Sequence, residues 1–183
     1  MLSHNKIIYT IGHSTRSGEE FIQLLLSFNI KLLADIRSYP GSKRYPHFNK
    51  KTLHQTLPSH QIIYQHFPDL GGRRKVLKNS KNLAWKNEAF RGYADYMETD
   101  NFKEAIILLE ETAVRHLTAY MCSEAVWWRC HRSMVSDYLK WKGWQVFHIM
   151  GSNTIQEHPY TAPAHIVNGV LIYTKEAKQK QLF

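Results

Sequence analysis

The chain has 183 residues, 43% of them hydrophobic and 13% aromatic, and carries a formal net charge of +9, which suits one globular domain (1–183) and excludes a disordered chain. It has no run of apolar residues long enough for a membrane span, and the start, MLSHNKIIYT, lacks the pattern of a secretory leader. Two cysteines with seven residues between them make no disulfide framework, so a cytoplasmic protein is expected, while the positive charge favours a partner that carries phosphates.

KIIYTIGH (6–13) is a short apolar run closing on glycine and polar residues, and reads as a buried strand. In the segment that follows, Ser17 with Glu20 three residues on is a capping box, and Phe21, Leu24, Leu25 and Phe28 share one helical face. KLLADIR (31–37) is a second strand, which makes the unit a right-handed parallel crossover. SYPGSKRYPHFNK (38–50) holds two prolines and a glycine and reads as loop. KTLHQTL is a short helix ending before Pro58, and QIIYQHF (61–67) is a third strand. PDLGGRRKVLKNSKNLAWKN is basic and irregular, and its length suggests function or mobility rather than packing. Phe90, Tyr93, Ala94 and Met97 fall at helical spacing, and NFKEAIILLEETAV is the next helix. HLTAYMC (116–122) is the fourth strand, CHRSMVSDYLKWKG a helix stopped by Gly143, and WQVFHIM (144–150) the fifth strand. Asn168-Gly169 between two apolar runs signals a hairpin. The expected fold is α/β: a mostly parallel five-stranded sheet flanked by helices, three-layered and Rossmann-like, with a C-terminal hairpin.

In such sheets ligands bind beyond the carboxyl ends of the strands. Those ends read Gly12-His13-Ser14, Asp35-Ile36-Arg37, Cys122-Ser123-Glu124 and His148, all polar and chemically able. Cys130-His131-Arg132 open a helix, where free N–H groups favour an anion. Arg132 adds a fork of donors for phosphate, and Cys130 in that position is expected to have a lowered pKa. The plainer alternative makes Cys130 a core filler and pairs Arg132 with Asp35 or Glu124. Asp35 and Glu124 are in turn either acid–base groups or members of an ion-pair network. Cys122 and Arg129 are one residue too far apart for a phosphatase loop, so neither that chemistry nor rhodanese-type sulfur transfer is favoured. Cys122, Cys130 and His131, with His13 or His148, would suit zinc by residue type. Their spacing lacks close ligand pairs, so no metal is expected.

Trp127 and Trp128 share one loop, where one packs and Trp128 is assigned to stacking on a ligand. The loop after Arg37 interleaves Lys43, Arg44, Lys50 and Lys51 with Tyr39, Tyr45 and Phe48, a mix suited to single-stranded or distorted nucleic acid; a merely solvated basic loop is the alternative. Arg73, Arg74, Lys75, Lys78 and Lys81 add a second basic run.

Taken together, TIGHS (10–14), DIRSYPGS (35–42), LGG (70–72), FRGYADYM (90–97), MCSEAVWWRCHR (121–132) and HPYT (158–161) resemble the domain of unknown function 488 family over almost the whole chain. Family members usually carry Cys-Ala-Glu and a less bulky linker to Cys-His-Arg, where this chain has Ser123 and the tryptophan pair. The resemblance supplies no reaction. It implies that His13, Ser14, Asp35, Arg37, Cys122, Glu124, Cys130, His131 and Arg132 belong to one pocket.

The leading expectation is a cytoplasmic protein that binds a phosphate-bearing ligand, nucleic acid or nucleotide, in that pocket. His13, Ser14, Arg37, Lys43, Arg44, Tyr45, Cys122, Trp128 and Arg132 would bind the ligand. Glu124, Asp35, Cys130 and His131 would serve hydrolysis or transfer. Two other readings stand beside it: a thiol enzyme acting on a small anion through Cys130 or Cys122, and a basic nucleic-acid-binding module without catalysis. No cofactor and no membrane partner is expected.

Overall fold

The structure, a computed structural model, describes residues 6–175; residues 1–5 and 176–183 of the expected domain lie outside it. Strand β1 (Ile7–Gly12), helix α1 (Gly18–Ser27) and strand β2 (Leu32–Asp35) form the first crossover. The Ser17–Glu20 capping box closes reciprocally, at 3.1 and 2.7 Å. Helix α2 (Lys50–Thr56), strand β3 (Ile63–His66), helices α3 (Glu88–Met97) and α4 (Asp100–Arg115) and strand β4 (Thr118–Cys122) follow. Helix α5 (Arg132–Trp141) then leads into strand β5 (Gln145–Gly151). Gly143, at φ +86°, terminates α5 as expected, with Trp144 N–H returning to Leu139 O and Gly143 N–H to Lys140 O.

The sheet has six strands in the order β3-β2-β4-β1-β5-β6, one more than the sequence suggests. Strand β6 (Thr154–Glu157) is short and exposed throughout and runs antiparallel to β5, whereas the other pairings are parallel. Strands β7 (His165–Val167) and β8 (Val170–Ile172) form the expected hairpin, with Asn168 and Gly169 both at positive φ.

Alternation along the strands divides the core between the two faces of the sheet. Ile11, Leu33, Ala119 and Met121 pack with Phe21, Leu24 and Leu25 of α1 and Leu53 of α2. Ile8, Leu32, Ala34, Tyr120 and Cys122 pack with Tyr93, Phe102, Ile106 and Met134 of α3, α4 and α5. The sheet is thus buried on both sides, and only the ends of its strands are free to make a site. The basic segment between β3 and α3 is also anchored. Buried Asp95 of α3 accepts bonds from Leu77 N–H, Ser80 Oγ and Asn82 Nδ2 at 2.9, 2.6 and 2.9 Å. No described helix is long and apolar enough to cross a membrane.

Candidate functional site

At the carboxyl ends of β1, β2 and β4 the chain encloses a cleft of about 760 Å³. His13, Arg37, Cys122 and Cys130 are its buried lining, with half-buried His131 beside them. Exposed Arg44, Arg73, Glu124 and Arg129 form its rim.

Asp35, the last residue of β2, is fully buried and has no free oxygen for chemistry. Oδ1 accepts from Arg37 Nε at 2.8 Å and from Arg37 N–H at 3.1 Å. Oδ2 accepts from an Arg37 terminal nitrogen at 2.6 Å and from Tyr64 Oη at 2.7 Å. Asp35 does not line the cleft, which corrects its expected part as an acid or base. Arg37 spends its other donors on Phe48 O at 2.7 Å and His13 Nε2 at 3.3 Å. It therefore faces the cleft as one half of a neutralised pair. His13 stacks on Phe48 at 4.1 Å and donates from Nδ1 to Ser14 O at 2.9 Å, so the neutral ring keeps Nε2 as the acceptor from Arg37. Burial, together with the nearby Arg37 charge, pulls its pKa down to about 4.

Beyond β1, His13 N–H and Ser14 N–H continue the parallel pairing onto Cys122 O and Ser123 O at 3.0 and 2.9 Å. Ser14 holds φ +53° at the mouth of the cleft, a left-handed conformation that costs a non-glycine residue energy and gathers at functional sites. Gly12 permits the next close approach, since a Cβ there would collide with Glu124 O.

Arg132 is only 1% exposed, and its guanidinium turns inward. It donates to Thr10 Oγ1 at 2.9 Å and to the carbonyls of Glu124 and Ala125 at 2.7 and 3.4 Å. This corrects two expectations: Arg132 lies outside the lining of the cleft, and it pairs with neither Asp35 nor the Glu124 carboxylate. It straps the loop after β4 instead. Trp127 is the packed tryptophan, lying flat on His148 at 4.3 Å with Nε1 donating to Gln156 Oε1 at 3.1 Å. Trp128 is half exposed but outside the cleft, as is Lys43. His148 is fully buried in mid-strand rather than at the rim, bonded at 2.9 Å to His158, which meets Asp137 at 3.0 Å.

The remaining expected residues do meet. Cys122 ends β4, while Cys130 and His131 close the loop returning to α5. His131 Nδ1 lies 3.5 Å from Cys130 Sγ and 3.9 Å from Cys122 Sγ. The Cys122 thiol is held well below its usual range by hydrogen bonds from Cys130 and His131, whereas burial pushes Cys130 up. The sequence suggested a lowered Cys130, but α5 begins only at Arg132, so Cys130 sits before the helix. Gly72, Arg73 and Arg129 line the cleft without having been among the expected site residues. For Gly72 and Arg73 the signal was the glycine pair opening the second basic run, and for Arg129 its place just before Cys130. Gly72 makes a close approach possible, since a Cβ there would strike the His131 ring.

The sequence model of the family described as Domain of unknown function DUF488 matches residues 17–139. The chain belongs to the DUF488 family. No curated protein and no solved structure matches it at a significant level. The part shared with DUF488 holds Asp35, Arg37, the two cysteines, Glu124 and His131, whereas His13, Ser14 and the His148–His158 contact lie outside the matched span.

Proposed function

We propose that this DUF488 protein binds a phosphate-bearing ligand, a nucleotide or a stretch of nucleic acid, in the cleft at the strand ends. The observation that carries this reading is the charge on the rim. Arg44, Arg73 and Arg129 are exposed, and none takes part in an ion pair among the described residues. Among the described residues, Glu124 is the only carboxylate that faces them across the cleft. Unpaired guanidinium groups suit the bidentate recognition of phosphate. Aromatic surface lies beside them: Arg73 sits 5.6 Å from the ring of Tyr39, which is 73% exposed, and Arg44 sits 5.4 Å from Tyr45. Such cation–aromatic pairs suit a nucleobase next to its phosphate. With Asp35 closed off, proton transfer by a carboxyl group in hydrolysis or transfer falls to Glu124. Two free thiols suit a reducing cytoplasm.

Fluorescence anisotropy of labelled single- and double-stranded oligonucleotides and of a labelled nucleotide, at rising salt, tests this. Binding is expected at low salt and to weaken as salt is added. Replacing Arg44, Arg73 and Arg129 by Gln should flatten the log–log salt slope by about one for each arginine that meets a phosphate. Absence of binding at low salt overturns the reading.

A further inference from the structure

Three metal-ligating atoms converge at the base of the cleft: Cys122 Sγ, Cys130 Sγ and His131 Nδ1, all within 4.8 Å of one another. Zinc bonds of about 2.3 Å to sulfur and 2.05 Å to nitrogen imply tetrahedral S···N edges of about 3.5 Å. The two S···N separations are 3.5 and 3.9 Å, so the atoms already stand within a few tenths of an ångström of those edges.

The imidazole is preset for the purpose. His131 Nε2 lies 3.2 Å from Ile36 O, which only accepts, so in the neutral ring Nε2 carries the hydrogen and Nδ1 turns its lone pair toward the sulfurs. The Gly72 backbone lies close to the ring, where any larger residue would press on it. The Arg132 backbone N–H points at Cys130 Sγ from 3.5 Å, a donor suited to a thiolate. The Arg132 side chain fixes the loop that joins the ligands.

We propose that Cys122, Cys130 and His131 bind a zinc-class cation whose fourth tetrahedral position opens into the cleft. Two thiolates and an imidazole select a borderline-soft ion over magnesium or calcium. No fourth side chain joins the group among the described residues, and His13 Nε2 is occupied by Arg37. Three protein ligands and an open position are the pattern of a reactive zinc site rather than a closed structural one. The position lies beside the arginine rim, where the ligand of the proposed function would arrive. The cation site nonetheless stands on its own geometry and is measured without that ligand.

The test uses the full, untagged chain, purified with a thiol reductant and without chelator. Elemental analysis by mass spectrometry, followed by zinc titration of the metal-free protein against a chromophoric chelator, should give one zinc per chain. Cobalt(II) in place of zinc should produce thiolate-to-cobalt charge-transfer absorption and tetrahedral ligand-field bands. Cys122→Ser, Cys130→Ser and His131→Ala should each weaken zinc binding by about tenfold or more, with circular dichroism confirming the fold. Lack of stoichiometric zinc together with lack of the cobalt–thiolate band in the parent protein overturns the proposal without reference to any variant. So does a parent-like zinc affinity in folded Cys122→Ser and Cys130→Ser.

Discussion

Asp35 and Arg37 form a two-pronged ion pair at 2.8 and 2.6 Å, with the Asp35 side chain fully buried and that of Arg37 8% exposed. Removing one partner strands the other as a buried charge. Arg37→Ala is therefore expected to lower stability by about 3–5 kcal/mol, and Asp35→Asn by a similar amount. Asp35→Asn combined with Arg37→Ala should cost less than the sum of the two single changes. Urea denaturation midpoints of the two singles and the double measure this coupling.

The stability of the fold should also fall in mild acid, partly through His13. Its pKa in the folded protein is about 4, against an ordinary 6.5. The unfolded chain binds the extra proton in that window. The contribution, about 3 kcal/mol, is complete above pH 6.5 and is lost as pH drops from 6.5 toward 4. Between pH 7 and pH 5 the parent should lose about 2 kcal/mol that His13→Gln does not lose. Denaturation at the two pH values reads the difference.

Adjacent tryptophans should respond very differently to truncation. Trp127 is 7% exposed and stacked on His148, so Trp127→Ala should cost about 3–5 kcal/mol. Trp128 is 50% exposed, and Trp128→Ala should stay within about 0.5 kcal/mol of the parent. Thermal melts of the two variants decide the ranking.

Gly72→Ala offers a way to disturb the ligand cluster without altering a ligand. The new methyl group would meet the imidazole of His131, a side chain that is able to move, rather than rigid backbone. The fold should persist, while zinc affinity should fall by about tenfold, as when a group that orients a metal ligand is removed. Circular dichroism and chelator competition on the same sample separate the two effects.

Much of this arrangement is legible in local sequence. The apolar runs, the Ser17–Glu20 capping box, Gly143 and Asn168-Gly169 place the parallel strands, two helix ends and the hairpin, because each signal is complete within a few residues. The same runs put His13, Arg37 and Cys122 at the carboxyl ends of neighbouring strands. What escapes the sequence depends on distant partners. Strand β6 is polar and exposed on an edge, so it has no alternation to read. Arg132 looks like a ligand residue until Thr10 and the carbonyls of Glu124 and Ala125 are seen to take its two terminal nitrogens. Asp95 fixes a loop 13 to 18 residues upstream, which spacing alone does not announce. The closeness of Cys122 to His131, nine residues apart, arises only when the loop folds back along β1.

That loop is held at its root and along its flank. Arg132 grips Glu124 and Ala125, and Trp127 leans away from the cleft onto His148. The tip between them carries exposed Trp128 and Arg129. Arg129 lines the cleft while Trp128 stands outside it, so the two residues divide the tip between the pocket and the open surface. The tip is where a shared pocket can acquire a private specificity.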